Sequence, residues 1–253
     1  MPIIIYAILE TRLNKEQIFD FIEWLSLESS IHLELISSDQ LSAVVSIYTE
    51  ETSSVSKNKM LTYAGIIEKL AQKYSILPMR FGSVVSDYAD VKTLLSKNSE
   101  SFYRLLKIII DKEEYSLRII FSQQQQYSHL DSHFNEESSE IDQSLPRILL
   151  GDSENKRYLL NKYKKHILDE KRSYYIEKIK SLVISDLHKI TEFIVFNKTQ
   201  NPAFIIDAVI LIEKSAIIEL IAFVTNLKSV YPEHNVILTG PWPPYNFAQI
   251  KLK

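Results

Sequence analysis

The chain contains no cysteine and very little glycine, and each shortage excludes a class of chemistry. Without cysteine there are no disulfides, no thiolate metal ligands and no cysteine nucleophile. Glycine accounts for 4 of the 253 residues, whereas about 7% is usual. Neither of the glycine-rich nucleotide-binding patterns occurs, so a phosphate-binding loop is not expected.

Charge of one sign and long apolar runs are also lacking. The 29 basic and 32 acidic residues leave a net charge of −3, which gives no reason to expect a nucleic-acid partner. The longest apolar stretch, 203–224, is interrupted by four charged residues and favours a buried strand followed by a core helix over a membrane span. The N-terminus has no basic leader. We therefore expect a soluble, cytoplasmic protein.

The first half of the chain predicts a β-α-β-β-α-β order of elements. Strands are expected at 3–10, 31–36, 41–48 and 76–85, with one helix around Ile18 to Leu25 and another at 57–74. The second helix is expected to place five apolar residues on one side: Leu61, Ala64, Ile67, Leu70 and Ala71. This order is the split βαβ plan of a ferredoxin-like fold. A further helix at 88–110 is expected to lead into a second domain, so the first domain is predicted at 1–111.

The second half predicts another α+β domain, at 112–253, with a modified ferredoxin-like plan. A strand at 115–122 is followed by a polar tract, 123–144, that has little to bury and is predicted to be a variable loop. A long helix is expected over 154–196, broken at most once. A strand at 204–213, a helix at 216–231 and a strand at 235–239 follow, with 247–252 as a last edge strand.

Candidate chemical groups are few, and each has a simpler structural interpretation. His129 and His133 have the spacing of a metal-ligand pair, but their context favours a solvated loop, and no metal site is predicted. No serine lies in a Gly-x-Ser-x-Gly pattern. The run 156–180 carries nine basic and three acidic residues with four tyrosines. It is either the solvated face of a long helix, a nucleic-acid surface or a patch for an acidic protein partner.

The most informative segment is 238–247, Leu-Thr-Gly-Pro-Trp-Pro-Pro-Tyr-Asn-Phe. Because prolines restrict their own and the preceding backbone, this segment is predicted to be stiff and extended. Gly240 can adopt a conformation that a side chain would resist. The segment either locks the C-terminal domain or forms a docking edge, and the residues that carry this prediction are Gly240, Pro241, Trp242, Pro243, Pro244, Tyr245 and Phe247.

A second segment, 76–82, combines an arginine with a proline and a glycine. In a strand, Arg80 would share a face with Pro78 and Gly82, opposite Phe81. The arginine is expected either to pair with a carboxylate at the domain junction or to contact a partner. Pro78 suits the edge or the beginning of a strand.

Together, 77–82 (Leu-Pro-Met-Arg-Phe-Gly) and 238–247 resemble the gas vesicle protein L/F family (GvpL/GvpF). The two motifs occur in the family's order and approximate positions, and the likeness extends to the opening strand, the long helix and the closing strand. The proline-tryptophan motif is highly specific and the arginine motif moderately so. The departures lie mainly in 123–144, where the family looks variable.

The resemblance implies a two-domain α+β accessory protein of gas vesicles, without enzymatic activity or a cofactor. Members are minor vesicle components thought to bind the small hydrophobic shell protein, help its assembly and act with other accessory proteins. By that resemblance Pro78, Arg80, Phe81 and Gly82 join the proline-tryptophan residues as candidate partner-binding positions. Trp242, Tyr245 and Phe247 are the aromatic contact candidates. A ligand-binding regulatory module and an RNA-binding protein remain alternatives.

Overall fold

The structure is a computed structural model that describes residues 1–11, 15–48, 56–121, 154–198 and 204–249. It is a mixed α+β fold with two sheets. The helices are α1 (Lys15–Ser29), α2 (Lys57–Lys73), α3 (Tyr88–Lys97), α4 (Ser99–Ile109), α5 (Glu154–Ile190) and α6 (Ile217–Val230). The strands are β1 (Ile3–Glu10), β2 (Glu34–Ser38), β3 (Leu41–Ile47), β4 (Ile76–Pro78), β5 (Val84–Val85), β6 (Lys112–Phe121), β7 (Ile194–Phe196), β8 (Phe204–Glu213) and β9 (His234–Trp242).

The first sheet is antiparallel and has the strand order β2-β3-β1-β4, with β5 also pairing with β1. β1 is buried along almost its whole length, which explains why it is a continuous apolar run instead of an alternating one. Pro78 lies in β4, the outermost strand of this order, opposite Ala7. The outer position suits a residue that has no N–H to donate.

Helices α1 and α2 contribute one apolar face each to the core of this sheet. The buried residues of α1 recur at helical spacing, at Ile18, Ile22 and Leu25. Ser56 caps α2 because its side chain accepts a hydrogen bond from the Lys59 N–H at 3.3 Å. The face of α2 agrees with the predicted one at Ile67 and Leu70, which are buried, but Leu61 and Ala64 are exposed and Tyr63 and Ile66 are buried instead.

The second sheet has the order β7-β8-β6-β9, in which β7 pairs antiparallel with β8. By contacts, the described chain divides into two compact units. Unit 1 comprises Met1–Tyr115, Leu211–Ser215 and Thr239–Lys253, and unit 2 comprises Ser116–Ile210 and Ala216–Leu238. The domain boundaries expected from the sequence, 1–111 and 112–253, remain a prediction. No helix of the described residues is both long and apolar enough to span a bilayer.

Three predicted elements in or near unit 1 are interrupted. The expected strand 76–85 is two short strands, because a turn at Gly82 separates β4 from β5. The expected helix 88–110 is two helices that meet at Asn98, whose side chain donates to the Leu94 carbonyl at 2.9 Å. The expected strand 247–252 is not formed at residues 247–249, because the Ala248 N–H bonds to the Pro244 carbonyl at 2.9 Å in a turn.

In unit 2 the predicted helix 154–196 ends early, at Ile190, and residues Ile194–Phe196 form β7. The helix ends where the Thr191 hydroxyl accepts a hydrogen bond from the Phe193 N–H at 3.1 Å. The two β-branched residues that follow, Ile194 and Val195, suit a strand and pair with β8. The polar tract 123–144, with His129 and His133, lies outside the described residues.

Candidate functional site

From Thr239 onward the proline-tryptophan segment belongs to unit 1, and its entry is fixed at Gly240. Gly240 has φ +136° and is followed by a cis peptide bond to Pro241. A Cβ at this position would lie 2.8 Å from Cδ1 of Tyr115 and 2.9 Å from the carbonyl oxygen of Glu114. Backbone conformation and close approach therefore both require glycine here.

The exit of the segment is held by the buried carboxylate of Glu114. The Asn246 side-chain Nδ2 donates to one carboxylate oxygen at 2.7 Å, and the Asn246 backbone N–H donates to the other at 3.0 Å. The Phe247 backbone N–H also donates to this carboxylate. Burial raises the pKa of Glu114, and the hydrogen bonds from Asn246 and Phe247 oppose that rise. One acidic side chain thus fixes a turn of the segment.

Between these two anchors the segment presents aromatic rings to solvent. The extended part ends at Trp242 and a turn follows, so the predicted stiff extension holds for the first half of the segment and not for Tyr245 or Phe247. Trp242 is 47% exposed, and its Nε1 donates to the Thr239 hydroxyl at 3.3 Å. Tyr245 is 42% exposed. Pro243 is buried, Pro241 is exposed, and Pro244 and Phe247 are half-buried.

The arginine motif forms a tight turn between β4 and β5. The Ser83 N–H bonds to the Arg80 carbonyl at 3.0 Å, and Gly82 at φ +84° occupies the position where a type II turn requires a positive φ. The Arg80 side chain is exposed and has no carboxylate partner among the described residues. The expected pairing is therefore not found in that part of the chain, and the arginine faces solvent instead.

Tyr63, a residue that sequence reasoning did not single out, contacts the arginine motif. Its hydroxyl lies 3.0 Å from the Met79 carbonyl and 3.1 Å from that of Arg80, and its ring meets Phe81 edge-on at 5.2 Å. Burial, followed by the nearby Tyr245 hydroxyl, raises the pKa of Tyr63. Tyr63 thus packs against the arginine motif through Phe81, and Tyr245 of the other motif is near enough to affect it electrostatically. The sequence signal that could have identified Tyr63 is its hydroxyl-bearing ring among the apolar residues of one face of α2.

Glu114 was also missed, because an acidic residue at the end of the charged run 111–114, near the beginning of a strand, resembles a solvated position. As for metals, no three histidine, cysteine, aspartate or glutamate side chains converge within the described ranges. The basic helix is α5 of unit 2, where Tyr158 and Tyr174 are 66% and 74% exposed.

The chain is similar to known proteins over nearly its whole length. The family model described as gas vesicle synthesis protein GvpL/GvpF matches residues 2–249. The crystal structure of the gas vesicle protein GvpF from Anabaena sp. PCC7120 is similar, with a TM-score of 0.74 and 17% identity over 99% of both chains.

A second similar crystal structure is that of GvpF from Microcystis aeruginosa. Its TM-score is 0.66 and its identity 14%, over 98% of this chain and 99% of that one. At such identities the structural likeness shows the fold alone. No curated protein matches the sequence. The family match covers nearly the whole chain, and on that basis the chain belongs to the GvpL/GvpF family of gas vesicle synthesis proteins.

Proposed function

We propose that this chain is a non-enzymatic accessory protein that binds the small hydrophobic shell protein of gas vesicles and assists shell nucleation or growth. Such a subunit has a gas-facing apolar surface, which is an aggregation hazard until the subunit is incorporated. A partner that covers this surface transiently with aromatic side chains would reduce that hazard. On this proposal the protein acts in the cytoplasm with other accessory proteins and can remain as a minor vesicle component.

The observation that carries the proposal is the rigid presentation of Trp242. The segment around it is anchored before the ring by Gly240 against Tyr115 and after the ring by Asn246 on Glu114. Nearly half of the indole nevertheless stays exposed. A large ring held in one orientation loses little conformational entropy on binding, and this is a property of strong contact residues.

The remaining motif residues support the same surface in different ways. Tyr245 and Phe81 are exposed by 42% and 38% and are proposed as direct contacts. Arg80, which precedes Phe81 in the chain, supplies an exposed cation. We propose structural roles for the glycines and prolines, which set the backbone: Pro78, Gly82, Gly240, Pro241, Pro243 and Pro244.

We further infer that the first sheet and its helices form a ferredoxin-like unit. The chain order β1-α1-β2-β3-α2-β4 and the sheet order β2-β3-β1-β4 support this. The alternative function, a ligand-binding regulatory module, has weaker support. The cleft beside Trp242 in unit 1 has a volume of about 200 Å³, below the roughly 300–1,000 Å³ typical of ligand sites.

Co-purification with the shell protein tests the proposal. Tagged Trp242→Ala protein, co-expressed with the shell protein, is expected to capture severalfold less of it, while the melting temperature changes by a few degrees. Phe19→Ala is the matched control, because Phe19 is 58% exposed on α1, outside both motifs. Undiminished capture by a folded Trp242→Ala variant would exclude the indole as a contact.

A further inference from the structure

A second surface of unit 1, on the outer side of α1 and the end of α2, carries an aromatic cluster that the two motifs do not include. Phe21 stacks on Trp24 with ring centroids 5.3 Å apart and meets Tyr74 edge-on at 5.6 Å. Trp24 is 48% exposed. The Tyr74 hydroxyl donates to the Gln17 carbonyl at 3.2 Å and so fixes the ring against α1. The rings form an ordered platform that remains partly open to solvent.

The platform borders an open cleft of about 470 Å³, lined by Gln17, Asp20, Phe21, Trp24 and Lys73. A cleft of this size accepts a few side chains of a partner. Phe21 and Trp24 supply its apolar surface, and the charges at its rim are those of Asp20 and Lys73. The cleft lies within unit 1 and does not include Trp242.

Lys73 gives the cleft its charge preference. Its ammonium lies 4.4 Å from the centroid of the Phe21 ring and 5.6 Å from that of Tyr74. Lys73 is exposed and has no carboxylate partner among the described residues, whereas the preceding lysine on this face, Lys69, is paired with Glu28. An anionic group entering the cleft would therefore meet a cation that forms no ion pair with a described residue and lies above aromatic rings, although Asp20 lies at the same rim.

We propose that this cleft is a docking site for an acidic, apolar peptide segment of a partner protein, with an aliphatic side chain against Phe21 and Trp24 and a carboxylate on Lys73. The site adjoins the cleft beside Trp242, which Lys73 and Tyr74 also line, but the argument for it does not depend on the shell-protein proposal.

The charges around the cleft favour a peptide over a polyanion. Helix α1 carries one lysine against four carboxylates, at Glu16, Asp20, Glu23 and Glu28. A nucleic acid would bring several phosphates close to this acidic helix, and the like charges would repel each other. A segment with isolated carboxylates between apolar residues can place one carboxylate on Lys73 and put apolar side chains, not further carboxylates, against Phe21 and Trp24 of α1. Asp20 is expected to weaken such binding slightly.

The test uses the intact protein with Trp242→Phe, so that tryptophan emission reports on Trp24. An acetylated, amidated octapeptide of alternating glutamate and leucine is titrated at low salt, in parallel with its lysine-leucine counterpart. We expect a saturable change with the acidic peptide and none with the basic one. An equal response to both peptides, no response to the acidic one, or tighter binding of a single-stranded oligonucleotide would overturn the proposal.

Substitutions of Lys73 and Asp20 are expected to change the affinity for the acidic peptide in opposite directions, which a loss of folding would not do. Lys73→Ala is expected to weaken binding about threefold and Lys73→Arg to leave it nearly unchanged, in the range of exposed ion pairs. Asp20→Asn is expected to strengthen it, about twofold by the same reasoning. The control is Lys92→Ala on α3, an exposed lysine away from the cleft. Wild-type affinity in Lys73→Ala, or weaker binding in Asp20→Asn, would contradict the assignment.

Discussion

Asn246 and Glu114, 132 positions apart in the chain, are joined by two hydrogen bonds of 2.7 and 3.0 Å. Glu114 is 2% exposed, so these bonds are made away from bulk water. A buried carboxylate that lost its donors would keep its desolvation cost without compensation. The pair is therefore the main polar attachment of the turn that carries Tyr245.

We predict that Glu114→Gln lowers the free energy of unfolding by about 1–3 kcal/mol, because the amide offers one acceptor oxygen where the carboxylate offers two. Urea denaturation measures this loss. Glu100→Gln, at a side chain that is 95% exposed, is the control and is expected to change little. Equal stabilities of wild type and Glu114→Gln would contradict the role given to Glu114.

The same variant has a pH signature. Burial raises the pKa of Glu114 above its ordinary value of 4.5. A raised pKa stabilises the folded state fully below about pH 4.5, and this contribution is lost as the pH rises through the folded-state value. The stability deficit of Glu114→Gln should therefore narrow between pH 4 and pH 7. A deficit that widens over this range would show that the hydrogen bonds outweigh burial.

Three glycines give a graded series of alanine variants. Gly240→Ala combines a forbidden φ with contacts of 2.8 and 2.9 Å, and we predict a loss of about 2–4 kcal/mol. Gly82→Ala has a positive φ but open space, so about 1–2 kcal/mol is expected. Gly65→Ala, inside α2 with no neighbour within 4 Å, should gain about 0.5–1 kcal/mol. The melting temperatures of the three variants give the order of their stabilities. A lower melting temperature for Gly82→Ala than for Gly240→Ala would contradict the prediction.

Tyr63→Phe is expected to cost about 1–2 kcal/mol, because it removes the one buried O–H that lies within 3.0–3.1 Å of the carbonyl oxygens of Ile5, Met79 and Arg80 and can donate to one of them at a time. The Ser83 amide should exchange faster with deuterium as the turn loosens. Tyr74→Phe is the matched control, since its hydroxyl bond to Gln17 is exposed. If the exchange rate of the Ser83 amide were the same in Tyr63→Phe and in the wild type, the Tyr63 hydroxyl would not stabilise this turn.

His234, in unit 2, predicts an acid-sensitive stability. The side chain is 1% exposed, the Phe121 ring lies 5.1 Å away, Tyr231 and Tyr175 flank it, and neither ring nitrogen has a hydrogen-bond partner among the described residues. Burial lowers the pKa of His234, although the Glu233 carboxylate, 3.6 Å from Nε2, opposes this.

Because the folded-state value lies below the ordinary 6.5, the fold loses stability as the pH falls through and below 6.5. The urea midpoint of the wild type should therefore decrease between pH 7.5 and pH 5.5, and His234→Phe should remove that part of the slope. His32→Phe, at a side chain that is 80% exposed, should retain it. Identical slopes in wild type and His234→Phe would refute the prediction.

Local sequence signals were sufficient for elements that depend on one continuous run. The strands at 3–10 and 204–213 were predicted with the bounds that the structure shows, since both are long β-branched runs. The breaks at Asn98 and Gly82 were not foreseen, because the apolar spacing continues through them. The spacing of apolar residues gives no sign of a helix break caused by one side-chain hydrogen bond, as at Asn98, or of a turn caused by one residue with positive φ, as at Gly82.

Long-range contacts explain what remained hidden at the candidate site. The two motifs could be recognised from their proline, glycine and aromatic content, but the residues that hold them could not. Tyr63 lies 17 positions before Arg80, and Glu114 lies 132 before Asn246. Nothing near either residue in sequence indicates its partner, because the pairing exists only after the strands have assembled.

Unit 1 is assembled from three separate stretches of polypeptide, and this has a practical consequence for deletion mapping. A fragment cut after residue 111 would contain neither Glu114 nor Asn246. If such a truncated piece failed to retain a partner in a dissection experiment, impaired folding of the remnant would be as good an explanation as a missing contact. Point substitutions in the intact polypeptide are the appropriate way to locate its binding residues.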